Sequence, residues 1–181
     1  MYSWAIITGD TPTTTDGISF RQSLARFPTG VCLVTTITES GKREGRTINS
    51  FASVSLEPPL ILWSIRNDAR SADAFIASRR FALSVLCASQ RELAQHFARS
   101  AADKFVAWES AFEPGIGDCP RLRRSAATFE CATRSRHVEG DHTLLLGRVE
   151  HHSRSPEPAI ILQQGQMGSL WDLAQALPQP G

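Results

Sequence analysis

Thr47-Ile48-Asn49-Ser50-Phe51-Ala52-Ser53-Val54-Ser55-Leu56-Glu57-Pro58-Pro59-Leu60 is the stretch on which the fold turns. Residues 47–55 read as a strand, yet this strand carries four hydroxyl side chains and one amide within nine positions. Serine and asparagine are poor strand formers, so either a solvated sheet edge or a polar ligand must compensate. The residues alone leave both readings open. Pro58-Pro59 then interrupts the ladder, because proline has no amide to donate. Residues 60–65 follow as a run apolar on both faces, which predicts an internal strand.

Upstream, residues 31–38 form a β-rich run whose two faces both carry apolar side chains, and residues 39–46, with Gly41 and Gly45, read as a hairpin turn. Before them, Asp16 can cap a helix starting near Gly17, with Phe20, Leu24 and Phe27 recurring at i, i+4 and i+7 until Pro28-Thr29-Gly30 ends it. Residues 1–16 read as a flexible lead-in. Downstream, residues 71–78 predict a short helix burying Phe75 and Ile76, and residues 81–86 a strand. Ser89 and Glu92 have the spacing of a capping box that opens a helix burying Leu93 and Phe97. Residues 103–111 predict an irregular helical piece, and 113–121 a loop. Strands are expected at 127–135, 143–150 and 159–163, with a tail from Asp172. Six or seven strands with short helices between them, and no alternating β-α-β units, predict a mainly β or α+β barrel in one domain over residues 17–171.

The bulk chemistry narrows the function classes. The chain has 181 residues, 41% hydrophobic and 20% charged, and a formal net charge of +1. Interspersed charges of both signs argue against a nucleic-acid partner, which wants a concentrated basic field. No apolar run has the length to cross a bilayer, and no secretory signal is evident, so the expectation is a cytoplasmic protein without a membrane partner. Cys32, Cys87, Cys119 and Cys131 make no C-x-x-C pair and read as buried reduced thiols. His151-His152 would point to opposite faces of a strand, so no metal site is expected. Gly115-Ile116-Gly117 lacks the strand and helix of a dinucleotide fingerprint, and no G-x-S-x-G is present to support a serine hydrolase.

The quoted string, with Phe27-Pro28-Thr29-Gly30-Val31 and Thr35-Thr36 upstream, and residues 78–81, 90–97, Lys104-Phe105 and Gly140-Asp141-His142 downstream, resembles the short-chain flavin reductase family. These proteins are the reductase components of two-component flavin monooxygenases, and their hallmark is T-x-N-S-F-x-S-V-S-x-x-P-P-L. The resemblance spans about residues 20–165. It implies an FMN-binding split β-barrel, a homodimer with each flavin groove near the subunit interface, and an NAD(P)H:flavin oxidoreductase. Such an enzyme reduces FMN, or FAD or riboflavin, with NADH or NADPH by hydride transfer, and passes the reduced flavin to a separate monooxygenase.

The same resemblance assigns residues. Thr47, Asn49, Ser50, Ser53 and Ser55, with Val54 as apolar packing, would line the isoalloxazine ring and ribityl chain. These groups offer donors and acceptors without net charge, as the developing negative charge of a reduced flavin requires. Ser71, after Arg70 at the start of a predicted helix, would meet the phosphate, and Lys104 with Phe105 would make a second contact. His142 would lie on the nicotinamide side, orienting NAD(P)H or tuning protonation. The chain departs from the family at Met167, where many relatives have an aromatic residue, and at Asn67-Asp68, which sets an acid near the phosphate site. Those departures keep open an FMN-binding electron carrier without turnover, and a barrel that binds no flavin would serve only as a binding module.

Overall fold

The computed structural model describes residues 17–100 and 103–169. The expected lead-in, the Asp16 cap and the tail from Asp172 lie outside them. In chain order the helices are α1 (Gly17–Leu24), α2 (Ala72–Ala77) and α3 (Arg91–Ala98). The strands are β1 (Thr29–Gly30), β2 (Cys32–Ile37), β3 (Arg43–Ile48), β4 (Ala52–Leu56), β5 (Pro59–Arg66) and β6 (Arg80–Val85), then β7 (Phe112–Pro114), β8 (Pro120–Leu122), β9 (Ala127–Glu139), β10 (His142–Arg154), β11 (Ile161–Gln163) and β12 (Gln166–Gly168).

Seven strands form one antiparallel sheet in the order β3-β2-β6-β9-β10-β5-β4. Its two outermost strands, β3 and β4, are joined by residues 49–51 alone. A flat sheet of this size would hold them roughly 29 Å apart at ~4.8 Å per strand. The linking chain can reach only about 14 Å. The sheet must therefore roll until its edges meet, and the result is a barrel split between β3 and β4. Ser50 closes the seam: its hydroxyl donates to the Ser64 carbonyl and accepts from the Ser64 amide, both at 3.0 Å. A side chain has taken the place of one rung of the β4–β5 ladder.

The rolled sheet explains why β2 is apolar on both faces. Cys32 and Val34 point into the barrel, where Trp63, Phe75, Phe81, Ile61, Ile65 and Leu145 fill the first core. Val31 and Leu33 point outward, into a second core of Leu86, Leu93, Phe97, Phe105, Phe112 and Ile160 beneath α3. Phe51 belongs with the first core, its ring stacked on Phe129 at 5.6 Å. All four cysteines are free and buried, and burial pushes the Cys32 and Cys131 thiols up to about 12. No helix of the described residues is long and apolar enough to cross a membrane.

Several local expectations are corrected. Residues 47–55 are two strands, because Asn49-Ser50-Phe51 crosses the seam. The turn after β2 is shorter than 39–46: Gly41 N–H donates to the Thr38 carbonyl at 2.9 Å, and β3 begins at Arg43. Gly45 is a strand residue. A Cβ there would stand 2.8 Å from the Phe97 ring, so glycine is required by packing and not by a turn. The capping box falls two residues earlier than Ser89 and Glu92, on Cys87 and Gln90, with the Cys87 amide donating to Gln90 Oε1 at 2.8 Å. Residues 113–121 are not a plain loop: β7 and β8 pair there as a small hairpin. The α1 helix forms, but Phe20, Leu24 and Phe27 are 53%, 59% and 74% exposed and no residue of α1 is buried.

Candidate functional site

The hydroxyl-rich stretch divides into groups that hold the fold and groups that are free. Thr47 faces α3, donating to the Ala94 carbonyl at 2.7 Å, and Ser50 is engaged at the seam. Both hydroxyls are therefore structural in this chain. The side chains of Asn49, Ser53 and Ser55 have no hydrogen-bond partner among the described residues. β4 pairs only with β5, so its other edge keeps unpaired backbone groups. The ladder shifts register between Ser53 and Ser55, which makes Val54 the extra residue of a bulge and leaves it 49% exposed. A small hollow of about 190 Å³ lies where Asn49 meets Leu24, Phe27, Leu162 and Gln164.

A cationic cluster includes Arg46, the residue just before this hydroxyl-rich stretch. Ser71 is only 5% exposed, and its hydroxyl has no partner. With six residues α2 has little dipole of its own, so attraction for an anion must come from side chains. Lys104 Nζ donates to the Phe97 carbonyl at 2.9 Å and the Gly45 carbonyl at 3.2 Å. An ammonium has three donors, so one remains. Burial, and then the nearby charges of Arg46 and Arg70, hold the Lys104 ammonium below the ordinary lysine value. Neither Arg46 nor Arg70 has an ion-pair partner among the described residues. Of the acids nearby, Glu44 is paired with Lys42 and Asp68 with Arg66 at 2.6 Å, whereas Asp73 in the first turn of α2 and Asp103 beside Lys104 have no ion-pair partner among the described residues. Asp68 therefore does not cancel the field of the cluster.

Arg46 is the residue that sequence reasoning missed. The signal was its position one residue before the hydroxyl-rich stretch, on the face of β3 that also carries Ile48. Phe105 has a different place from the one expected. Its ring is 2% exposed, 5.2 Å from Phe97 and 4.9 Å from Phe112, with the Arg43 guanidinium 4.8 Å from its centroid. It supports Lys104 from within the second core and presents no face to a ligand. Met167 packs against the same core.

His142 opens β10 opposite Arg66, and its Nδ1 lies 2.7 Å from Asp141 Oδ1. That hydrogen bond holds the Asp141 carboxyl below its usual range. With Nδ1–H donated to the carboxylate, Nε2 is the ring atom left to meet a ligand. The turn itself is stapled to Asn67, whose amide donates to the Asp141 carbonyl at 2.9 Å and whose side chain accepts from the Thr143 hydroxyl at 2.7 Å. Ser53 lies opposite Ile61, five residues along β5 from Arg66, and β10 and β4 flank β5 on opposite sides, so His142 and Ser53 are separated by about 20 Å within one protomer.

Taken together, an uncharged polar stretch follows directly on one member of a trio of cations, and a second member, Arg70, directly precedes an unpartnered buried hydroxyl. That donor set suits a ligand with a polar heterocycle at one end and a phosphate at the other. Comparison with known proteins agrees with this chemistry. The FMN reductase (NADH) SmoA of Agrobacterium fabrum is 42% identical over 151 residues, covering 83% of this chain and 84% of that protein. The reductase component of the flavin-dependent trigonelline monooxygenase of Acinetobacter baylyi is 35% identical over 131 residues, 72% of this chain and 42% of its own length. Two further curated relatives are longer as well, and the chain spans 57% and 42% of them. Among solved structures, the NADH:FAD oxidoreductase SgcE6 of Streptomyces globisporus, in complex with NAD and FAD fragments, superposes with a TM-score of 0.78 at 35% identity. The match covers 84% of this chain and 91% of that one. Residues 24–170 match the model of the flavin reductase like domain, so this chain, folded as a split barrel, belongs to the flavin reductase family.

Proposed function

We propose that this chain reduces a flavin with NAD(P)H and releases it to a separate monooxygenase. The observation that carries the proposal is a cluster of three cations, Arg46, Arg70 and Lys104, in which Arg70 immediately precedes the buried, unpartnered Ser71 hydroxyl and Arg46 immediately precedes the hydroxyl-rich stretch whose strand β4 has a free edge. Ser71, the free Lys104 donor and the two guanidiniums would hold the phosphate of FMN or FAD. The β4 edge, with Asn49, Ser53 and Ser55, would line the isoalloxazine and ribityl groups, and Val54 would pack against them. Flavin supplies the redox chemistry by accepting a hydride from nicotinamide, a transfer that needs no protein acid or base. His142, about 20 Å from Ser53 in its own protomer, is assigned to orienting NAD(P)H through Nε2, with Asp141 fixing the ring. The reductase role of the Acinetobacter relative supports a monooxygenase as recipient, and a supply of NAD(P)H suits the cytoplasm.

Steady-state oxidation of NADH and NADPH with FMN, FAD and riboflavin tests this. Turnover with at least one flavin is expected. Nicotinamide oxidation at the background rate with all six pairs removes the proposal.

The same reading includes a homodimer. An eight-residue helix with no buried side chain is too short to hold itself in water; α1 leaves Phe20 and Leu24 exposed, and Phe27 is exposed just beyond its end. A second copy would cover these side chains together with Val54 and Leu56, which is 95% exposed. Light scattering after size exclusion is expected to give twice the chain mass, and the double substitution Phe20→Glu/Leu24→Glu is expected to halve it. A wild-type chain that elutes as a monomer contradicts the dimer.

A further inference from the structure

β9 and β10 run on past the rest of the sheet as a two-stranded hairpin. β9 pairs with β6 only as far as Ala132, opposite Arg80, and β10 pairs with β5 only as far as His142, opposite Arg66. The tip, residues 139–142, is a two-residue turn in which Gly140 takes φ +59°, a positive value that the first central position of such a turn favours. On the β9 side the Arg136 guanidinium ties the hairpin to the Ser78 carbonyl at 2.6 Å. On the β10 side the tie is Asn67, the residue just past the last rung. We propose that Asn67 is a positioning residue for the nicotinamide, a clasp that holds the hairpin tip against β5 and so fixes where His142 presents Nε2. The proposal rests on the role given to His142 above and extends it to a residue on a different strand end.

Asn67 meets the tip at three points. Its backbone amide donates to the Asp141 carbonyl at 2.9 Å, Nδ2 reaches the Gly140 carbonyl at 3.4 Å, and Oδ1 accepts from the Thr143 hydroxyl at 2.7 Å. Any residue could make the first contact; the other two need the side-chain amide. A distance of 3.4 Å is long for an N–H···O bond, so the short bond from Thr143 carries the clasp. Thr143 is only 2% exposed, and a buried hydroxyl left without an acceptor is costly. The bond therefore specifies one placement of the strand end. Successive strand residues point to opposite faces, so pinning Thr143 inward turns His142 outward. Asp141 then has only to orient the ring. The segment leading to Arg70 and Ser71 is held differently, by Ala69 N–H to the Arg66 carbonyl at 3.1 Å and Ala72 N–H to the Ala69 carbonyl at 2.8 Å. Neither bond uses the Asn67 side chain, so its loss should move the nicotinamide end and spare the flavin phosphate.

Two substitutions break the clasp from opposite sides: Asn67→Leu removes the acceptor, and Thr143→Val removes the donor with little change of shape. Thermal melts check that each variant folds. Each is expected to raise the KM for NAD(P)H about fivefold, the worth of roughly one hydrogen bond, and to leave that for FMN within about twofold. Thr143→Ser keeps the hydroxyl and should stay near the wild type. The decisive comparison is the His142→Ala background, where there is no ring left to place. There Asn67→Leu should change the KM for NAD(P)H by no more than about 1.5-fold. Amide hydrogen exchange gives a readout independent of turnover: faster exchange over residues 139–143 in Asn67→Leu and Thr143→Val, with β2 and α3 unchanged. An Asn67→Leu effect that persists in full beside His142→Ala overturns the proposal, as do equal rises in KM for NAD(P)H and FMN, or unchanged exchange at the tip. A His142→Ala enzyme with an unaltered KM for NAD(P)H overturns the nicotinamide role of His142 itself, and this proposal with it. Flavin reduction is decided separately, by the wild-type assay with FMN.

Discussion

Replacing Arg46 and Arg70 together by glutamine is expected to raise the KM for FMN about a hundredfold while moving that for riboflavin no more than about twofold. Hydrogen bonds to a charged group contribute about 1.5–3 kcal/mol each. Both guanidiniums are partly solvated, so the lower end applies, and a hundredfold change corresponds to about 2.7 kcal/mol. Riboflavin is the control because it keeps the ring and ribityl chain but has no phosphate. The contrast should shrink at 0.5 M salt, where the screening length falls to roughly 4 Å. Equal losses for the two flavins would show that the arginines support the fold or the nicotinamide, and not the phosphate.

Lys104 adds a pH signature to the same experiment. A lysine helps bind phosphate only while protonated. Burial and two neighbouring arginines lower its value in the free protein, so the benefit is full at lower pH and lost as pH rises through a point below the ordinary 10.5. FMN affinity is expected to fall over that window while riboflavin affinity stays flat. Lys104→Met should remove the difference in slope.

How much of this was legible in the sequence depends on whether the signal was local. The hydroxyl-rich stretch announced a polar edge correctly, since Asn49, Ser53 and Ser55 are free there. The only local trace of the break at the seam is that the polar-apolar alternation lapses at Asn49-Ser50 and Phe51-Ala52, and it takes the closure of a seven-stranded sheet to separate Ile48 from Ala52. For the same reason Thr47 and Ser50 resembled ligand donors: their partners, Ala94 and Ser64, lie 47 and 14 residues away in the chain. The two-faced apolar pattern of β2 was visible, and its cause, a second core beneath α3, was not. Gly45 looked like part of a turn because glycine in a strand is uncommon, whereas an aromatic ring from α3 excludes any larger side chain. Arg46 escaped notice since a lone arginine on an edge strand is ordinary; Lys104 and Arg70 give it meaning only once the fold brings them together.

The second core is where stability and site meet. Phe97 is fully buried, with its ring 5.2 Å from Phe105 and 5.6 Å from Phe112, and its carbonyl holds Lys104. Phe97→Ala is expected to cost about 3–5 kcal/mol, as large-to-small changes in a packed core do. For a chain of this length that lowers Tm by roughly 10–15 °C. A specific rescue follows from Gly45, whose added Cβ would stand 2.8 Å from the Phe97 ring. Gly45→Ala should destabilise the wild type, because a ring wedged between two others cannot retreat. In the Phe97→Ala background the obstructing atoms are gone and the new methyl enters the vacated space. The same substitution should then be neutral or stabilising, a reversal of sign in a double-mutant cycle. Additive losses in thermal or denaturant melts would mean that Gly45 serves the backbone of β3 and not the fit between β3 and α3. The reversal would establish that the aromatic cluster sets how close α3 lies to the strand carrying Arg46, and thus where the phosphate cations stand.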